Sequence, residues 1–197
     1  MDLLSRAAFL SWAAEGGIVQ DPKYPHSAQL VFRDAPEDQW LAWDTPGPAV
    51  ELIGFLNALL EAAAPAGPFL LSVRGGAPWF TGTAYDEGPL VEQLRDRIVG
   101  TLPIPAAFDG ALRFEVAEWR DVLMLLATFL VYGWCVADDL ELVAGDRTTV
   151  LMTSHHSYVA VHAQSAARLA VFEASMLASG FPREPSGPPS APAATAG

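Results

Sequence analysis

His155, His156 and His162 fall within eight residues of sequence, so this stretch is the first place to look for a metal site or an acid–base pair. The spacing argues against one shared ion. In an extended strand His156 and His162 stand six steps of about 3.3 Å apart, roughly 20 Å. Ligands of a single zinc converge to about 2.0–2.1 Å from the metal. His155-His156 reads instead as a hairpin tip. With Thr153 facing Tyr158, Leu151 facing Ala160 and Thr149 facing His162, one face collects Val150, Met152, Val159 and Val161. His162 then lies on the other, less apolar face.

Asp138-Asp139 is the second constellation. Adjacent carboxylates can hold a cation or act as acid and base, but neighbours in a strand point to opposite faces. A solvated turn is the simpler reading. Combined with His155 or His156, the pair is the chain's one route to a hydrolase or metal-dependent enzyme. Cys135 lies between Trp134 and Val136 in the most apolar stretch, where a buried thiol is held protonated and inert. The sequence has no G-x-S-x-G elbow, no phosphate loop, no G-x-G-x-x-G after a strand and no Cys-x-x-Cys pair. It implies no metal and no cofactor, and Arg74-Gly75-Gly76 reads as a turn.

Charge points elsewhere. Residues 34–73 hold six carboxylates and no base, and residues 114–146 hold seven against Arg120 alone. These two stretches account for the whole net charge of −12, and the remainder is neutral. If they meet in the fold they form an acidic face suited to a basic protein partner. Such a charge repels phosphate backbones and anionic headgroups, which argues against nucleic acid and membrane surfaces. Trp40 and Trp43 lie on opposite strand faces by parity, so one can serve as an exposed anchor beside the carboxylates. The partner-binding candidates are Glu37, Asp38, Trp40, Asp44, Asp138, Asp139 and Glu141. The expected protein is a small acidic binding module, adaptor or immunity-like, with the hydrolase as one alternative and a structural subunit of a larger assembly as the other. Lys23 is the only lysine. One cysteine and an N-terminus without a basic leader and apolar run point to the cytoplasm.

The elements that must position these residues follow from pattern. Apolar residues make up 51% and charged residues 17% of the chain, the latter below the roughly 25% of an average domain. One core over residues 1–182 is expected, with a Pro/Ala-rich disordered tail over 183–197. A first helix is read over 2–14, ended by Gly16-Gly17, then a hairpin of strands 29–33 and 39–43. A helix capped at Thr45-Pro46 carries the stripe Leu52, Ile53, Leu56, Leu59 and Leu60. Strands 69–73 and 79–81 make a second hairpin over Gly75-Gly76, followed by a helix over 87–99 and a strand over 112–116.

A helix over 118–134 contains most of the charge-free run Val122–Ala137. The run falls short of the about 20 residues a bilayer requires and reads as a helix buried on all sides. Strands over 140–143, 149–153 and 158–162 lead to a last helix capped by Ser165, with Leu169, Phe172, Met176 and Leu177 inward. The class is α+β: a mixed, mostly antiparallel sheet packed with about five helices. Trp40-Leu41-Ala42-Trp43 and Tyr158-Val159-Ala160-Val161 stand at matching places in two ββα units sharing that sheet.

Overall fold

The computed structural model describes residues 1–23, 29–35, 40–47, 49–63, 68–76, 79, 93, 104–105, 108–136, 139–154 and 156–183, with backbone only for Ala49 and 131–136. Ser5 Oγ accepts the Ala8 N–H, so the first helix starts after it and the preceding residues stay extended. The expected helix over 2–14 is therefore a strand, β1 (Asp2–Leu4), followed by α1 (Arg6–Glu15). Gly17, at φ 77°, turns the chain into β2 (Ile18–Gln20) and β3 (Leu30–Phe32). Then come β4 (Trp40–Asp44), α2 (Ala49–Ala63), β5 (Phe69–Val73) and β6 (Ala111–Phe114). The chain continues with α3 (Trp119–Val136), β7 (Leu140–Ala144), β8 (Thr149–Ser154), β9 (Tyr158–Ala163) and α4 (Ala166–Ala178).

Seven strands form one antiparallel sheet in the order β1-β6-β5-β7-β8-β9-β4, while β2 and β3 form a separate ribbon. This is the expected α+β class. On one face α2, α3 and α4 enclose a core that includes Trp43, Phe55, Leu71, Phe114, Leu126, Leu142, Val161 and Phe172. On the other, α1 and the ribbon cover a smaller cluster with Phe9, Ile18, Leu30, Leu70, Val143 and Val150. A sheet covered on both sides leaves no polar face, which explains why β5, β7 and β8 are buried at every position.

The double cover also explains where sequence pattern misled. The predicted hairpin over 29–43 does not form: β3 pairs with β2, and β4 pairs with β9. Strand β5 is flanked on both sides by β6 and β7, and residues 80–81 of the other predicted hairpin lie outside the described residues. Gly75 and Gly76, both at positive φ, instead precede a buried Trp79, whose Nε1 donates to the Gly110 carbonyl at 2.9 Å. Helix α3 is not buried all round: Met124 is 59% exposed, and Arg120 and Asp121 face solvent.

Leu169, Phe172 and Met176 of α4 point inward as expected, but Leu177 is 62% exposed. Gly180 turns the chain back, and Phe181 packs edge-on against Phe55 at 5.5 Å. The β8–β9 register is offset by one residue from the expected pairing, with Ser154 opposite Tyr158 and Val150 opposite His162. Ser157 at φ 63° makes the tighter turn possible. The predicted helix over 87–99, apart from Gln93, and the tail beyond Arg183 lie outside the described residues.

Candidate functional site

A one-residue change of register moves every side chain to the opposite face. Tyr158, Ala160 and His162 therefore share a face with Val150 and Met152, on the side covered by the ribbon. Beside them on β4, Trp40 lies opposite His162, and their rings stack at 6.3 Å between centroids. Trp43 points the other way and packs on Phe172. Parity thus separates the two tryptophans as the sequence required, with Trp43 buried and Trp40 half-buried.

Between the ribbon and this corner of the sheet lies a cleft of about 560 Å³. Its apolar walls include Val31, Phe32, Met152 and Ala160, with Trp40 and Tyr158 as aromatic surface. Gln29 and His162 supply polar groups, and the charged residues of the described lining are Asp21, Lys23 and Arg33.

A chain of side chains leads from the cleft into the protein. Asp139 Oδ2 accepts from Arg74 Nη1 at 2.7 Å, and Arg74 Nη2 donates to Gln29 Oε1 at 3.3 Å. That contact orients the Gln29 amide, so its Nε2 is the group that meets His162 Nε2 at 2.8 Å. An amide nitrogen only donates, so His162 Nε2 accepts and the ring proton resides on Nδ1. Burial pushes His162 down to about 4, with Asp21 opposing and Arg74 reinforcing the shift. The ring in the cleft is neutral.

Glu141 lies deeper, opposite Ser72 and fully buried. Its Oε1 accepts the Leu30 N–H at 2.6 Å, which ties the ribbon to the sheet through a side chain. Burial raises Glu141 to about 7, although the Leu30 hydrogen bond, Arg6 and Arg74 pull it down. Burial also lowers Arg6, against the pull of Glu141 and Asp109. Among the described residues, Glu141 Oε2, Ser72 Oγ, Arg74 Nε and both Arg6 Nη atoms are buried and find no hydrogen-bond partner.

Two of the predicted partner-binding residues are not on a surface. Asp139 is 5% exposed and paired with Arg74, and Glu141 is 0% exposed. A carboxylate beneath the sheet cannot meet a docking protein, so neither belongs to an acidic face. Their charge is balanced by Arg6 and Arg74, which come from the neutral remainder of the sequence. Trp40 and Asp44 lie on β4, with Asp44 exposed at its end. Glu37, Asp38, Asp138 and His155 lie outside the described residues, as does the Cys135 side chain. His156 is exposed in the β8–β9 turn, its N–H donating to Ser154 Oγ at 3.2 Å.

The acidic stretches do meet, at different residues. Trp119 Nε1 donates to Asn57 Oδ1, and Asn57 Nδ2 donates to Glu61 Oε1, joining α2 to the start of α3. Glu118 at that junction pairs with the N-terminal amine, which lowers the carboxylate's pKa and raises the amine's. Glu115 pairs with Arg113.

Gln29 in the cleft and Arg74 behind it carried little sequence signal, while His162 stood out only as one of three clustered histidines. The uninterrupted burial of β7 around Glu141 was the available clue. Among the described residues no group of three or more His, Cys, Asp or Glu side chains is arranged to hold a metal, and no helix is long and apolar enough to cross a membrane. No protein family, curated protein or solved structure matches the chain.

Proposed function

We propose that this chain is a small acidic cytoplasmic protein-binding module, adaptor or immunity-like, that engages a basic partner along β4. The observation that carries this reading is the position of β4 at the end of the sheet: β9 lies on one side, and no described strand lies on the other. A free edge offers backbone N–H and C=O groups to an extended segment of another chain. Asp44 is exposed at the end of this strand and Asp34 beyond β3, and neither forms an ion pair among the described residues. Their charge favours a Lys- or Arg-bearing strand and disfavours an acidic one.

Most described arginines are engaged by the protein itself. Arg74 holds Asp139, Arg147 holds Glu15 and stacks on Trp12, and Arg168 caps α2 through the Ala62 and Ala63 carbonyls. The surface field is left acidic, which speeds association with a basic partner and makes it sensitive to salt. The test compares wild type with Asp34→Lys/Asp44→Lys, first as bait and then by titration with the purified captured protein. A basic partner bound at least 10-fold more weakly by the variant supports the reading. Equal affinity for both baits, or failure of wild type to enrich any basic protein, refutes it.

A further inference from the structure

Strands β4 and β9 set three facing pairs side by side: Trp40 with His162, Ala42 with Ala160, and Asp44 with Tyr158. Directly opposed residues share a face, and Trp40, Tyr158, Ala160 and His162 all line the cleft. Leu41 and Trp43 alternate to the other side, against the main core. The outer two pairs are bulky, with the Trp40 and His162 rings stacked. The middle pair contributes nothing beyond two Cβ atoms. This order of sizes leaves a notch at half-buried Ala42, running from the outer side of β4 toward the cleft.

The groups around the notch define what fits it. Neighbouring pairs on one face are two strand steps apart, about 6.6 Å. A side chain crossing at Ala42 therefore meets the Trp40 ring on one flank and Tyr158 with Asp44 on the other. Asp44 is exposed and forms no ion pair among the described residues. The His162 ring is neutral and adds no positive charge. In the rest of the lining Arg33 is matched by Asp21 and followed in sequence by exposed Asp34, and Lys23 is engaged within the protein. Two aromatic rings and a carboxylate suit a flat cation. A guanidinium stacks on aromatic faces and pairs with a carboxylate, whereas an ammonium is a compact point charge. An arginine side chain is also longer than the about 4.8 Å between neighbouring strands.

We infer that the basic partner carries an arginine opposite Ala42, whose guanidinium crosses the notch to lie between Trp40 and Tyr158 beside Asp44. The inference rests on docking along β4 and adds to it a preference for arginine over lysine at one position of the partner strand. Because opposed residues share a face whichever way the partner runs, the position holds for parallel and antiparallel pairing alike.

The test uses three blocked peptides, Thr-Thr-Lys-Thr-X-Thr-Lys-Thr-Thr, in which X is arginine, lysine or citrulline. Lysine keeps the charge of arginine and changes the shape, and citrulline keeps the shape and removes the charge. Binding to the full chain is followed by tryptophan fluorescence and by amide chemical shifts. The arginine peptide should bind about 10-fold more tightly than either other form, with shifts at Trp40, Ala42 and Tyr158. Ala42→Leu fills the notch, should leave the circular dichroism near wild type, and should reduce the arginine peptide to the affinity of the lysine peptide. Equal affinity of the arginine and lysine peptides for wild type, with both weakened by Asp34→Lys/Asp44→Lys, overturns this inference and leaves strand docking standing. Equal affinity of the citrulline peptide, or an undiminished arginine preference in Ala42→Leu, also overturns it. No binding of either basic peptide at millimolar concentration overturns the inference and the docking reading together.

Discussion

Glu141 and His162 titrate over nearly the same pH range with opposite effects on stability, and single substitutions should separate them. Glu141 rises from 4.5 to about 7 on folding, so the folded state binds its proton more tightly. Its contribution is fully present below pH 4.5 and is lost as pH climbs through 7. His162 falls from 6.5 to about 4. Its contribution is present above pH 6.5 and is lost as pH drops through 4. A shift of that size in Glu141 corresponds to a loss on the order of 3 kcal/mol. The His162 effect is smaller, because its ring is only partly shielded and solvent screens it.

In wild type the two slopes oppose one another between about pH 4 and 7. Glu141→Gln keeps an acceptor for the Leu30 N–H and removes the titration. Urea denaturation at half-unit steps from pH 4 to 8 measures both proteins. The variant should gain on wild type progressively from pH 4.5 to 7, by on the order of 3 kcal/mol. His162→Gln should gain on wild type as pH falls from 6.5 to 4, by a smaller amount. A Glu141→Gln difference that stays constant with pH, or that opens in wild type's favour as pH rises, refutes this reasoning.

Other perturbations test the same framework. Arg74→Met should destabilise by about 3 kcal/mol in chemical denaturation, because it removes the guanidinium that holds the buried Asp139 carboxylate. Arg183→Met removes a more exposed pair with Glu173 and should cost less than about 1 kcal/mol by the same measure. Gly110→Ala would bring a Cβ to 2.0 Å from the Leu4 carbonyl oxygen and 2.6 Å from Phe108. It should cost about 3 kcal/mol and increase hydrogen exchange in β1. Ser165→Ala removes the acceptor of the Arg168 N–H and should lower stability by about 1 kcal/mol.

The class of fold was legible because periodicity survives in the helices and near the C-terminus. The stripe of α2, the cap at Ser165 and the strands β7, β8 and β9 were read close to where they lie. Pairing was not legible. Strands close in sequence suggested local hairpins, yet β4 crosses to β9 and β5 inserts between β6 and β7. Long-range burial selects these partners, and no local residue pattern encodes it. Asp139 and Glu141 were read as surface acids because charge in a sequence carries no sign of depth. Phe69–Val73 and Leu140–Ala144 lack alternation because helices cover one face and α1 with the ribbon covers the other. Within such a strand a carboxylate is buried by default. The cleft was invisible for a related reason: Gln29, Trp40 and His162 meet only after the β8–β9 register is set.

The proposed docking along β4 is tested most directly by hydrogen exchange of the chain alone and saturated with the basic protein that it captures. Alternate amides between Trp40 and Asp44 should slow at least 10-fold in the complex and return to the free rate in Asp34→Lys/Asp44→Lys. Unchanged exchange across β4, with protection appearing on the outer faces of α2 and α3 instead, would contradict it.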